Sequence, residues 1–366
     1  MPSALELLPN ELLDQVISCL SNTPPSSTRL HHPPAHQLSN SQCGDLKHLS
    51  QVSSRLLSLV RPQLFKHARL ELRDEPAFHS FMAASGLGPC VTSLLISLPS
   101  AALDLDLHNQ YWWRRILSYL DPTWITVIAP PTFIGNALNT QIMNGHSWAF
   151  EIDFQVLRLK RDGRCGDISP QTDLAHCDNL LLARPWTSMF FNEASSLKAY
   201  NHYEYFLSRV PSIFGEWGSR LKNEDFPSMQ LSTSLSRLTS FSYTAVFPFY
   251  NHVKLVLDTL ALMPSLRTLS VQLAPGADNN ITEVEQRASM DPNDPWMELA
   301  TAYSLIAFEV CGKQSLKVFQ SRDFPLEALR MELCQILDDG LGHTSWTHDG
   351  QGTWRRRIGT ATNIVE

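Results

Sequence analysis

The stretch NHVKLVLDTLALMPSLRTLSVQLAP, residues 251–275, sets two periodicities side by side. Val253, Val256, Leu257, Leu260 and Met263 recur at the three-and-four spacing that puts them on one helical face. Pro264 then ends the run, because a proline has no N–H for another helical turn. Leu266, Leu269 and Val271 follow, alternating apolar with polar residues as a strand buried on one face does. A helix that leads straight into a strand is one unit of a parallel α/β arrangement, since parallel strands are joined by crossovers.

The frame of that strand, an apolar residue followed by others at +3 and +5, recurs outward in both directions. It is found at Val91-x-x-Leu94-x-Ile96, Phe154-x-x-Leu157-x-Leu159, Leu197-x-x-Tyr200-x-His202, Leu238-x-x-Phe241-x-Tyr243 and Leu316-x-x-Phe319-x-Ser321. A weaker copy is His67-x-x-Leu70-x-Leu72. Helices are predicted between them over 76–85, 110–120, 251–263, 295–310 and 325–337. Residues 67–340 are therefore expected to form an irregular right-handed βα array of self-similar units. An ordinary α/β domain carries such frames as well. Residues 274–295 are acidic and turn-rich and read as a surface loop. The Gly-, Thr- and Trp-containing segment 341–366 reads as a tail or a closing hairpin.

The N-terminal part follows a different pattern. Pro9 suits the first position of a helix, and Glu11 adds negative charge to its first turn. Leu12, Leu13, Val16, Ile17 and Leu20 share one face of it, with Leu8 just ahead. A break rich in Ser, Pro and His, residues 21–42, is expected to be a disordered loop. Asp45 then serves as the N-cap of a second helix carrying Leu46, Leu49 and Val52. A third apolar set, Leu56, Leu57, Leu59 and Val60, is closed by Pro62. Three short helices in residues 1–66 make a module too small to bury all its large side chains, so a partner surface is expected. The alternative is that these helices cap the chain's own core.

Composition narrows the function classes. The chain has 366 residues, 43% apolar and 18% charged, which suits one large domain or two modules and rules out a disordered chain. A net charge of −7 argues against a phosphate-backbone binder, so no nucleic-acid partner is expected. The Arg355-Arg356-Arg357 cluster reads as a solvated end. The first stretch has no basic segment ahead of its apolar residues and reads as no secretory signal. Nor is there a run of about 18 apolar residues, so no membrane span is expected. Seven scattered cysteines without a C-x-x-C read as reduced thiols, which favours the cytoplasm or nucleus.

The two blocks LLPNELLDQVISCL (7–20) and DLKHLSQVSSRLLSLVRPQLFKHARL (45–70) resemble the F-box, particularly that of fungal F-box proteins. The matching residues are Leu8-Pro9, Glu11-Leu12-Leu13, Val16-Ile17, Leu20, Asp45-Leu46, Leu49, Val52-Ser53, Arg55-Leu56, Leu59 and Leu64-Phe65. The family usually joins its first two helices by a short loop, whereas 22 residues intervene here. Insertion in a loop costs little, because closure entropy grows only logarithmically with length. The resemblance implies a three-helix unit that docks a Skp-family adaptor and, through it, a cullin scaffold. By that implication the adaptor-binding residues are Leu8, Pro9, Leu12, Leu13, Val16, Ile17, Leu46, Leu49, Val52, Leu56 and Leu59.

The remainder is similar to the leucine-rich-repeat-like region found behind many F-boxes. Its units are more widely and irregularly spaced, and Pro99, Asp162 and Ala274 stand where the regular repeat carries Asn. The implied function is substrate receptor of an SCF-type cullin ubiquitin ligase, binding an unknown protein target and doing no covalent chemistry. In such a repeat, the strand positions between the apolar ones face the target. That nominates Arg158, Lys160, Thr268, Ser270, Gln272, Gln320 and Arg322.

Catalytic and metal patterns are weak by comparison. GHSWA, residues 145–149, approaches the G-x-S-x-G nucleophile elbow but lacks both the strand before it and the final Gly. Of Cys311, Cys334, His343 and His348, the two cysteines are 23 positions apart where a zinc finger needs a close pair, and His31, His32 and His36 sit among prolines. No phosphate-cradling glycine loop occurs, so no catalytic residue, metal or cofactor is expected. An enzyme of another kind would reveal itself by a buried cluster of ionisable residues in the second half.

Overall fold

The computed structural model describes residues 7–20, 23–24, 27–35, 43–98, 111–142, 145–163, 174–222, 229–287, 289–342 and 344–357. The chain is mixed α/β with mostly parallel strand pairing. It divides into two compact units, Met1–Gln141 with Asp153–Thr187, and Ile142–Ile152 with Ser188–Glu366.

The first unit begins with helices α1 (Asn10–Ser18), α2 (Gly44–Ser50) and α3 (Ser54–Leu64). Pro9 stands one residue before α1, and its carbonyl receives the Leu12 and Leu13 N–H groups. Asp45 falls in the first turn of α2, behind Cys43 at the cap. There its charge still favours the helix N-terminus, without a capping bond. Ser53 is the cap that sequence reading missed, accepting from the Leu56 N–H at 3.3 Å. Helix α3 runs through Pro62 to Leu64, because a proline in the last turn forfeits a single ladder bond. Of segment 21–42, residues 27–32 form turns and Leu30 is buried, while 21–22, 25–26 and 36–42 lie outside the described residues.

Strands β1 (His67–Glu71), β2 (Ser93–Ser97) and β3 (Trp124–Ala129) pair in parallel, and β4 (Gln155–Lys160) pairs antiparallel to β3. Helices α4 (Glu75–Ser85), α5 (Trp112–Tyr119) and α6 (Pro131–Ala137) lie between them in the chain. The alternation works as expected: Leu70, Leu94, Ile96, Ile125, Val127, Leu157 and Leu159 are all buried on one face. The antiparallel step corrects the expected uniform βα array. After α6 the chain passes through Ile142–Ile152, which belongs to the second unit, and β4 then runs against β3.

In the second unit β5 (Ser188–Ser195), β6 (Ser240–Val246), β7 (Thr268–Gln272) and β8 (Val318–Ser321) are parallel, with a register shift only between β5 and β6. Strand β10 (Thr353–Arg356) then pairs antiparallel with β8, and β9 (Trp346–His348) with β10. Segment 341–366 thus contains a closing hairpin, with 358–366 outside the described residues. Helices α7 (Ile213–Lys222), α8 (Met229–Ser236), α9 (Tyr250–Asp258), α10 (Ile281–Glu285), α11 (Asp294–Gly312) and α12 (Glu327–Leu341) alternate with these strands. Helix α7 lies against α9, α9 against α11, and α11 against α12. Two of these helix–helix contacts admit only glycine: a Cβ on Gly218 would stand 2.6 Å from the Leu255 carbonyl oxygen, and one on Gly340 2.6 Å from the Ala307 Cβ. Arg356 closes the C-terminus of α11, donating through Nη2 to the carbonyls of Val310, Cys311 and Lys313.

Three sequence readings change. Leu197–Asn201 is a 3₁₀ helix rather than a strand. Leu197 and Tyr200 are buried three residues apart, which a 3₁₀ turn satisfies equally well, and His202 breaks the strand alternation. Strands β3 and β5 went unread. Trp186-x-x-Met189-x-Phe191 does fit the common frame, whereas β3 has Pro122 at its first apolar position. The expected loop 274–295 contains α10, tied down by Asn201, which donates to the Glu285 carbonyl and accepts from the Arg287 N–H.

The exit of β8 is anchored by Asp323, fully buried, which accepts from the Leu273 N–H at 2.6 Å, the Ala274 N–H at 3.1 Å and the Tyr303 hydroxyl at 2.5 Å. Burial pushes its carboxyl up to about 6, against the pull of Tyr303 and the two backbone donors. The folded chain therefore binds this proton more tightly than the unfolded chain, and stability falls as pH rises through the window from about 4 to 6. The loss is on the order of 3 kcal/mol, complete once pH exceeds the folded value. Asp323→Asn should flatten this slope, whatever its effect on absolute stability. Urea unfolding of both proteins from pH 4 to 7 checks it, and an identical slope in the variant would refute the assignment.

Candidate functional site

Helices α1–α3 build a core of their own before offering a surface. Leu13, Ile17, Leu46, Leu56 and Val60 are buried; Ile17, Leu46 and Val60 form one apolar cluster with Cys43. The residues nominated for adaptor binding therefore divide. Leu13, Ile17, Leu46 and Leu56 point inward, and Leu8, Leu49 and Leu59 are half-buried. Pro9 is exposed, and Leu12, Val16 and Val52 remain 45%, 44% and 61% exposed. On α1 the division is geometric: Leu12 and Val16 form one i,i+4 ridge facing out, and Leu13 and Ile17 the next ridge facing in. Leu57 on α3 is also exposed. Arg55 fixes the start of α1, donating to the Leu8 carbonyl at 2.7 Å and to Asn10 Oδ1 at 2.7 and 3.1 Å.

The residues nominated for target binding lie in both units and are largely engaged locally. In the first unit Arg158 donates to Thr126 Oγ1 at 3.0 Å, and the Arg158 and Lys160 cations stand 5.4 Å from the Trp124 ring. Burial lowers Arg158 to about 10. In the second unit the structure brings Ser270, Gln320 and Arg322 together: Arg322 Nε donates to Ser270 Oγ at 3.2 Å, and Ser270 Oγ donates to Gln320 Oε1 at 3.3 Å. Gln272 is buried and donates to the Ala274 carbonyl, and Thr268 is half-exposed. Only Lys160 and Arg322 of this set are exposed.

A buried ionisable cluster lies elsewhere in the second unit, at residues that sequence reading passed over. Near the end of β5 the register shifts between Asn192 and Ser195, and Ala194 adopts a left-handed φ of 72°. Such a bulge re-aims the neighbouring side chain. Glu193 is thereby buried among three donors. Ser212 and Tyr243 donate their hydroxyls to Oε1 and Oε2, and His252 Nε2 lies 3.1 and 2.9 Å from the same oxygens. Burial and the adjacent Glu193 hold the Tyr243 phenol well above its ordinary range, so it stays a donor. The available signal was a lone acid inside the apolar run MFFNEAS (189–195), since a buried carboxylate demands partners.

His252 opens onto a cleft of about 390 Å³, lined also by Phe206, Leu207, Ser208, Arg209, Val210, Gly215, Ser219, Asn251 and Leu255. Phe206, Leu207 and the nearby Tyr203 are largely exposed, as is Trp148, whose ring meets His202 edge-on at 4.7 Å. A carboxylate that orients an imidazole beside a cleft is the arrangement used for general base catalysis and equally for polar recognition. Ser212 bonds to Glu193 rather than to His252, so it is not set up as a histidine-activated nucleophile. The GHSWA segment ends in the 3₁₀ helix Ser147–Ala149 and forms no elbow.

Six cysteines among the described residues form no disulfide; Cys165 and His343 lie outside them. Among the described residues no helix is long and apolar enough to cross a membrane. No family model matches the chain, and no curated protein or solved structure matches it.

Removing charge from the Glu193 cluster should be costly, while relieving its backbone should not. Glu193→Gln is expected to destabilise the second unit by about 3 kcal/mol, because its amide places a donor among donors. Ala194→Gly should be neutral or stabilising by about 1 kcal/mol, since glycine accepts positive φ freely. Urea unfolding followed by tryptophan fluorescence measures both. Equal losses at the two positions would mean that neither the charge nor the bulge has been correctly identified.

Proposed function

We propose that this chain is the substrate receptor of an SCF-type cullin ubiquitin ligase, with α1–α3 docking a Skp-family adaptor and the βα region holding a protein target. The observation that carries the reading is the outward ridge of Leu12 and Val16, with Val52 and Leu57, on a module whose core is already closed by other residues. Full burial of a fully exposed side chain of this kind is worth about 1.5–3 kcal/mol, so a partner that covers the part of each still exposed gains a substantial share of that. The receptor acts by proximity, raising the effective concentration of target lysines near the transferring enzyme. For target capture, the cleft beside His252 and the exposed Tyr203, Phe206 and Leu207 offer a better surface than the largely engaged strand positions. An adaptor-bound protein outside ubiquitin transfer would share every one of these surfaces, and target turnover in cells separates the two.

The Glu193–His252 pair favours a second reading, a general base serving a small substrate in the cleft. Hydrolysis of a p-nitrophenyl ester that His252→Asn abolishes, while leaving adaptor binding intact, would establish it.

The receptor reading is tested on α1. Leu12→Asp/Val16→Asp alters only exposed positions and should leave thermal stability near that of the parent chain. It should weaken adaptor co-purification at least about 100-fold, because a bound adaptor would cover two unpaired carboxylates. Leu13→Asp, by contrast, should unfold the module, because it buries an unpaired carboxylate. Undiminished adaptor recovery by the folded double variant would defeat the reading.

A further inference from the structure

We propose that Cys334, Asp338 and His348 form a binding site for one zinc-class divalent ion in the second unit. Their ligand atoms all lie within 4.8 Å of one another. In a tetrahedral zinc site, bonds of about 2.0–2.3 Å place ligand atoms about 3.5 Å apart. Small side-chain rotations close the difference. Cys334 and Asp338 are i,i+4 on α12 and so project from one helical face, while His348 comes from β9 of the closing hairpin. A thiol, an imidazole and a carboxylate together suit zinc; calcium and magnesium take oxygen ligands.

The surroundings orient two of the ligands before any ion arrives. Asp338 Oδ1 accepts from Trp354 Nε1 at 3.3 Å. The His348 ring lies flat on Trp354, 4.1 Å between centroids and 3° from parallel, with Phe324 edge-on at 5.0 Å. Outer partners of this kind fix ligand direction and commonly change metal affinity 10- to 100-fold. One contact opposes the metal. The Gly352 N–H donates to His348 Nε2 at 3.2 Å. A metal-bound imidazole carries its proton on the nitrogen away from the metal, so that bond is released on binding. Three protein ligands leave a fourth position for water. Asp338 completes the set that Cys334 and His348 begin, and its i,i+4 spacing from Cys334 is the signal for it in the sequence.

The test uses the full chain, stripped with EDTA and titrated with Co²⁺ and then Zn²⁺. The expected result is one equivalent bound, a thiolate-to-cobalt charge-transfer band, a zinc-dependent rise in melting temperature, and faster amide exchange at Gly352. Cys334→Ser should abolish the band and weaken zinc at least 100-fold. Trp354→Phe keeps the aromatic stack but not the donor, and should weaken zinc about tenfold. Asp338→Asn changes an exposed residue and keeps the test valid should the cysteine variant fold poorly; a loss of at least tenfold is expected. No charge-transfer band in the parent chain would overturn the proposal. So would a band that survives Cys334→Ser, which would assign binding to other cysteines, or zinc affinity unchanged by Asp338→Asn.

Discussion

Two carboxylates withdrawn from water hold the C-terminal ends of the parallel strands in the second unit. Glu193 sits where β5 ends and Asp323 just beyond β8, and each gathers donors from elements distant in sequence. Glu193 joins β5 to β6, to the start of α7 and to α9; Asp323 joins the exits of β7 and β8 to α11. A buried carboxylate is costly when any donor is missing. These strand ends therefore have one arrangement in which every partner is present. Each cluster includes a tyrosine, Tyr243 or Tyr303, whose phenol burial keeps neutral and hence able to donate. The apolar ladders behind them, Phe241 beside Leu269 and Leu269 beside Phe319, tolerate exchange of similar volumes, and the carboxylates do not.

Much of this architecture was legible because apolar spacing is a direct consequence of burial. The helical run expected over 251–263, which is α9 followed by a 3₁₀ helix at Thr259–Leu262, the strand after it, and the strands at Leu94, Leu157, Phe241 and Phe319 all follow from alternation or three-and-four spacing alone. What escaped depends on geometry that a linear pattern does not encode. An apolar pair three residues apart serves a strand frame or a 3₁₀ turn, and only the neighbours of Leu197 and Tyr200 decide between them. The direction of β4 is set by where its connection travels, not by its composition. The bulge at Ala194 carries no glycine to announce it. Of the candidate site, the apolar residues of α1–α3 were visible as a set, but not which ridge closes the core and which stays outside. That distinction arises only when three helices meet.

The exposed ridge on α1 also accounts for the effort spent at the N-terminus of that helix. Arg55 reaches across from α3 to the backbone of Leu8 and the side chain of Asn10, fixing the rotation of α1 about its axis. A turn of about 100° exchanges one residue's direction for the next. That restraint acts with the buried Leu13 and Ile17 to keep Leu12 and Val16 facing out. The arginine thus helps to set which leucine a partner meets.

The pairing of β10 against β8 has a consequence for how such a chain can change over evolutionary time. A parallel strand added after β8 would need the edge that β10 occupies; β10 runs against β8, and β9 outside it runs along β8 again. The hairpin ends in β9, three residues long, too short to recruit another strand of the same kind. A βα unit placed directly after β8 would have to displace this hairpin, whereas one inserted between strands already paired must match the register on both sides.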